Sequence, residues 1–130
     1  MIVHFPVGLL ISGVVFEIYG ALRNDGVAET AGRYNIRFGF WCLFPVLLVG
    51  FLGMISLENT EEFKDFLSSH LTFALCTAGL FFSAMLVSRY LRQPLGRALY
   101  FIIIGVGGIC VLTTGYFGGE LVYRFGVSTH

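Results

Sequence analysis

Charge is what this chain has least of. Only 12% of its 130 residues are Asp, Glu, Lys or Arg, against about 25% in an ordinary soluble domain. Hydrophobic residues make up 56%, and mean hydropathy is +0.82. Lipid is therefore the expected solvent. Net charge is zero and no basic tract occurs, which argues against nucleic acid as a partner. The three cysteines, Cys42, Cys76 and Cys110, stand singly within apolar runs. Without a C-x-x-C or C-x-x-C-H they offer no zinc ribbon, no thioredoxin motif and no covalent c-type haem attachment. They read as reduced packing residues, since buried free cysteine behaves as a small hydrophobe. The first 22 residues hold no Lys or Arg, so the basic start of a secretory leader is missing. The opening run reads instead as a retained membrane helix. Nor is there a G-x-S-x-G, an H-E-x-x-H or a P-loop, so no hydrolytic or phosphate-binding signature appears.

What the chain does have is four long apolar runs, at about residues 5–22, 38–57, 69–87 and 99–121. Each is near the ~20 residues needed to cross a bilayer as a helix. Pro6 suits a first helical turn. Pro45, inside the second run, frees a carbonyl and predicts a kink. Ser68 or Ser69 is the expected N-cap of the third.

The linkers differ in sign. Between the first two runs lie Arg23, Arg33 and Arg37 against Asp25 and Glu29, and the third linker holds Arg89, Arg92 and Arg97 with no acid. The second holds Glu58, Glu61, Glu62 and Asp65 against Lys64 alone. Basic residues tend to stay cytoplasmic. The expected fold is thus all-α, one domain over residues 1–130. It is a four-transmembrane-helix bundle running up-down-up-down in a bacterial inner (cytoplasmic) membrane, with both termini on the outer, periplasmic side.

Two further patterns stand out. In the acidic stretch, Phe63, Phe66 and Leu67 have the i, i+3, i+4 spacing of a short amphipathic turn lying on the outer surface, or else the stretch is a solvated loop. The fourth run is rich in small residues, with Gly115 and Gly119 as one small-xxx-small pair and Thr114 and Gly118 as another. Such pairs let membrane helices approach closely, and a smooth glycine face also leaves room for a flat cofactor.

Candidate functional residues gather at the expected outer end. His4 and His70 open the first and third runs, which an up-down bundle places parallel. Histidine is a common axial ligand of haem iron, and Met54, near the end of the second run, is of a second ligand type. Glu120 suits the role of fixing a ligand histidine's tautomer, and Arg124 or Lys64 that of pairing with a haem propionate. The spacing thus suggests b-type haem held by His4 and His70, with Glu120, Arg124 and Met54 beside it. The duller alternative is a pair of interfacial polar residues. His130 reads as a tail residue. Glu17, the one carboxylate well inside a run, is a candidate proton relay by default. The more ordinary account is a charge pair with Arg37 or Arg89, or a reach to the interface near Arg23.

The residues His4-Phe5-Pro6-Val7-Gly8-Leu9, the acid Glu17, the His that opens the third run, and the closing Gly118-Gly119-Glu120-Leu121-Val122-Tyr123-Arg124-Phe125-Gly126-Val127 together resemble the DUF2231 group of small bacterial four-helix membrane proteins. The resemblance covers nearly the whole chain. It implies an association with c-type cytochrome domains and so electron transfer at the outer face. It assigns His4 and His70 to the family's histidine positions, and Glu120 and Arg124 to its closing motif.

Three functions compete on this reading. The first is a b-type haem electron-transfer module serving a periplasmic cytochrome or a larger complex. The second is an accessory subunit of a respiratory or photosynthetic complex, whose histidines bind a chlorophyll-type pigment or nothing. The third is a transporter or proton-leak component built on Glu17.

Overall fold

The computed structural model describes residues 4–56, 61–91 and 93–125. They form four helices: α1 (His4–Arg23), α2 (Gly26–Ser56), α3 (Glu61–Tyr90) and α4 (Pro94–Phe125). No strand occurs among the described residues. All four helices are long and apolar enough to cross a membrane.

The helices outrun the apolar runs. The expected linker between the first two runs shrinks to Asn24 and Asp25, and Glu29, Arg33 and Arg37 all lie on α2. Local chemistry explains the tight turn. Asn24 takes the left-handed conformation (φ 53°) that asparagine tolerates. The Asp25 amide closes back on the Gly20 carbonyl at 2.9 Å, a Schellman-type helix end. The Asp25 carboxylate then accepts the Val27 and Ala28 amides at 3.0 and 3.2 Å, capping α2.

The acidic stretch also changes character. Ser68 and Ser69 are not an N-cap, because α3 already begins at Glu61. Phe63 is buried and Phe66 and Leu67 are half-buried, so this apolar stripe packs into the bundle and does not lie on an outer surface. Pro45 is exposed, and α2 continues through it to Ser56.

Two closely packed hairpins result, α1 with α2 and α3 with α4, and they touch each other more lightly through α1 with α4 and α2 with α3. The core joins Leu10 and Val14 (α1), Ile36 and Phe40 (α2), Phe81 and Ala84 (α3), and Tyr100, Ile104 and Val111 (α4). α1 and α3 face each other across the diagonal, with no close backbone approach. The two histidine-bearing helices are therefore not neighbours.

The first hairpin closes on glycine. A methyl group on Gly20 would lie 2.6 Å from the Glu29 amide nitrogen, and one on Gly32 would lie 2.7 Å from the Glu17 nitrogen. Gly13 meets the Gly32 carbonyl and Ile36 as closely, at 3.0 and 2.7 Å. The α4 glycines behave differently. Gly115 and Gly119 have open space where a side chain would be, so that pair does not pack a helix. Gly118 is filled by His70, Gly107 by Phe81 and Gly108 by Val14. Of the cysteines, Cys76 is exposed on α3, while Cys42 and Cys110 are half-buried; all three are free thiols.

This difference between the two glycine sets is measurable. Gly20→Ala must push helix backbones apart and is expected to cost about 1–3 kcal/mol, as overpacking does. Gly115→Ala meets nothing and is expected to leave stability unchanged or slightly raised. Thermal melting of the two variants in the same detergent separates them, and equal melting points would refute the seam.

Candidate functional site

At the expected outer end, His70 is the best-placed of the candidate residues. It lies well inside α3, because that helix starts at Glu61. Its ring Nδ1 is 3.0 Å from the Thr114 carbonyl oxygen on α4. A carbonyl only accepts, so Nδ1 carries the proton, and in the neutral ring Nε2 keeps its lone pair. The ring rests on Gly118, where a methyl group would come 3.1 Å from Cε1. Thr114 and Gly118, one turn apart, thus form a cradle for the imidazole. His70 lines a mainly apolar cavity of about 70 Å³ that also borders Pro6, Leu10, Leu43, Ala74 and Val111.

The other outer-end candidates are occupied elsewhere. His4 is exposed at the first described turn of α1 and does not line that cavity. Glu120 pairs with Arg124 and not with a histidine. Arg124 also reaches Glu62 at 3.7 Å and lies over the Phe66 ring, its guanidinium carbon 5.2 Å from the centroid. Lys64 pairs with Glu61 at 2.8 Å. The side chain of Met54 and all of His130 lie outside the described residues.

His70 has the donor chemistry of a haem ligand, since a ring N–H anchored to a carbonyl orients the second nitrogen. The space is a different matter. Cofactor-sized ligands occupy roughly 300–1,000 Å³, and the cavity at His70 offers about 70 Å³. As packed here, the cavity beside His70 is smaller than a macrocycle needs. Among the described residues, no group of three or more His, Cys, Asp and Glu side chains gathers as a metal site.

The opposite end holds a stronger polar cluster. Glu17 is fully buried on α1. Its Oε1 accepts the Tyr100 hydroxyl at 2.7 Å from α4 and meets Arg33 Nε of α2 at 3.3 Å. Arg33 also pairs with Glu29 at 3.0 Å, and Glu29 in turn holds Arg97 of α4 at 2.7 Å. One chain of charges and hydrogen bonds therefore joins α1, α2 and α4. Glu17 does form an ion pair, with Arg33 as its partner in place of Arg37 or Arg89. Its Oε2 is buried with no hydrogen-bond partner. Buried charge of this kind is tolerated only when paired. Tyr100 carries no sign of this role in the sequence, and the i, i+4 spacing of Glu29 and Arg33 marks only their own pair.

The DUF2231 family model, described as a predicted membrane protein, matches residues 1–130. The chain belongs to DUF2231. No curated protein and no solved structure matches it. Within this DUF2231 protein the closing motif serves as an ion-pair clasp: Glu120, Arg124 and Glu62 tie the end of α4 to the start of α3.

The buried cluster yields its own test. Tyr100→Phe removes a donor to a buried carboxylate and is expected to lower unfolding stability by about 1–3 kcal/mol. Glu17→Ala is expected to cost more, because it strips the partner from both Tyr100 and Arg33. Denaturation followed by circular dichroism reads both, and a neutral Tyr100→Phe would show that the hydroxyl does not hold the carboxylate.

Proposed function

We propose that this DUF2231 protein is a non-catalytic subunit of a larger respiratory or photosynthetic complex in the bacterial cytoplasmic membrane. Its four helices cross up-down-up-down as one domain, with both termini on the periplasmic side. The orientation is supported by the charge at the helix ends. Arg33, Arg37, Arg89 and Arg97 outnumber Glu17 and Glu29 at one end of the bundle, while Glu61, Glu62, Asp65 and Glu120 outnumber Lys64 and Arg124 at the other.

The subunit role is carried by the outward side of α2. Only 17% of its apolar window is buried inside the chain, against 28–33% for the other three helices. Tyr34, Phe38, Trp41 and Leu48 are all exposed, spaced as the seam residues of a helix that meets another helix. Lipid covers such a row, and so does a neighbouring subunit's helix. Purification of the tagged protein from its own membranes in a mild detergent is expected to bring larger subunits with it. Trp41→Ala together with Phe38→Ala is expected to release them. A protein that always elutes alone, with or without these substitutions, sinks this reading.

A second reading keeps the haem. The observation favouring it is the His70 ring, anchored through Nδ1 and in contact with an apolar cavity. In this proposal His70 and His4 would hold the haem iron. The two hairpins part at the outer end to admit the ring, which their light mutual contact permits. Haem would supply a one-electron couple facing a c-type cytochrome. Protein from haem-replete cells is then expected to show a Soret band that is lost in His70→Ala. A colourless protein removes the haem and leaves the first reading intact.

A further inference from the structure

The arginine end of the bundle contains a cleft of about 860 Å³, a volume in the range of ligand sites, roughly 300–1,000 Å³. Arg33 and Arg37 from α2, Arg89 from α3 and Arg97 from α4 line it, and Glu17 and Tyr100 form part of its wall. Four guanidiniums around one space repel each other unless negative charge answers them.

The chain supplies that charge only in part. Glu17 and Glu29 engage Arg33, and Glu29 engages Arg97. Arg37 and Arg89 have no carboxylate within ion-pair distance among the described residues, and the Arg89 guanidinium carbon lies 5.8 Å from the Tyr90 ring centroid. Both side chains are exposed. Two positive charges thus face the cleft without an anion from the protein. Apart from Ser88 the remaining wall is apolar, with Phe82, Leu86 and Phe101. The space lies where the two hairpins meet lightly, beyond the stacked Phe40 and Phe82 rings.

We infer that this cleft binds a phosphate-type oxyanion through Arg37 and Arg89, and that its apolar wall makes an anionic phospholipid headgroup the bearer. Arginine forks match phosphate oxygens bidentately. Basic pockets between membrane helices suit anionic headgroups, whose chains lie along the neighbouring apolar surface. The site stands at the opposite end from His70 and depends on neither reading of the outer end.

The test uses the full chain in detergent. It is titrated with phosphatidylglycerol, with phosphatidylcholine of the same acyl chains, and with inorganic phosphate alone, and bound species are counted by native mass spectrometry. Phosphatidylglycerol is expected to be retained over phosphatidylcholine. Arg37→Gln and Arg89→Gln are each expected to weaken that preference about fivefold, while Arg124→Gln, at the far end, leaves it unchanged. Both arginines are exposed, so the variants are expected to melt like the parent. Arg37→Lys and Arg89→Lys keep the charge but lose the fork, and are expected to fall between parent and Gln. Inorganic phosphate bound as tightly as the lipid, and lost in the same two variants, upholds the oxyanion site with the free ion as its source. An equal loss in Arg124→Gln, or a lipid preference untouched in the Arg37→Gln, Arg89→Gln double variant, overturns the proposal.

Discussion

The contact on which the rest of this structure depends is the glycine seam between α1 and α2. Gly13, Gly20 and Gly32 let the two backbones come so close that even a methyl group has no room. In lipid there is no hydrophobic drive to press helices together, so close packing must supply the attraction. The seam also creates the burial site of the one carboxylate inside α1. The absent side chain of Gly32 is the space that the Glu17 methylene occupies, since a Cβ there would lie 2.6 Å from Glu17 Cγ. With its stem held against α2, the carboxylate can only meet what the other helices bring to that level, and they bring Arg33 and Tyr100.

A tight first hairpin and a tight second one leave the contact between them as the weaker link. The second is built on His70 against Thr114 and Gly118, and on Phe73 stacked on Phe117 with centroids 5.7 Å apart. Between the hairpins the core is narrow, with Leu10, Val14, Phe81 and Ile104 at its centre. Both spaces described above lie along this junction, one on each side of the narrow core. The smaller is apolar and contains an oriented imidazole; the larger is cationic and has the buried Glu17 in its wall. Such a junction can change its width without disturbing either hairpin, which gives a small four-helix protein a soft internal boundary.

How much of this was legible in the sequence differs by element. Four apolar helices were, because each run is long and nearly free of charge. Their ends were not, because hydropathy marks where lipid stops and a helix stops only where its hydrogen bonding does. Glu29, Arg33 and Arg37 look like a linker by composition yet sit at i, i+4 steps on a helix whose true start is the Asp25 cap. The stretch with Phe63, Phe66 and Leu67 showed its helical period, but only tertiary packing decides whether that stripe faces a membrane surface or the bundle. The small-residue signal was read on α4, where glycine is most frequent. The helix-packing glycines on α1 and α2 are seven residues apart, Gly13 with Gly20 and Gly32 with Gly39 (where a methyl group would lie 3.0 Å from Leu10 Cγ), so the four-residue motif passes over them. At the candidate site, Glu17 was visible as an anomaly, and so was its need of a partner. Which arginine answers it depends on the register of the hairpin, which the Asn24-Asp25 turn sets.

That register also explains why most of the basic residues that composition assigns to linkers lie on helices. In the proposed membrane arrangement the positive side is a ring of helix residues. Arg37 immediately precedes the second apolar run, Arg89 follows the third and Arg97 precedes the fourth. Glu17 lies inside the first run by sequence, but the α1–α2 seam sets it beside Arg33, more than a turn beyond Arg37 and away from the hydrocarbon. A carboxylate that hydropathy sets inside a span is, by register, level with the arginines at the end of the bundle. Its burial is then protein burial and not lipid burial, which is the condition under which an ionised group inside a membrane helix is tolerable. The last turns of α1, with Ile18, Tyr19 and Leu22 exposed, continue past that level. They bring apolar surface to the same zone as the arginines, a combination that suits the interfacial region of a bilayer better than either water or hydrocarbon alone.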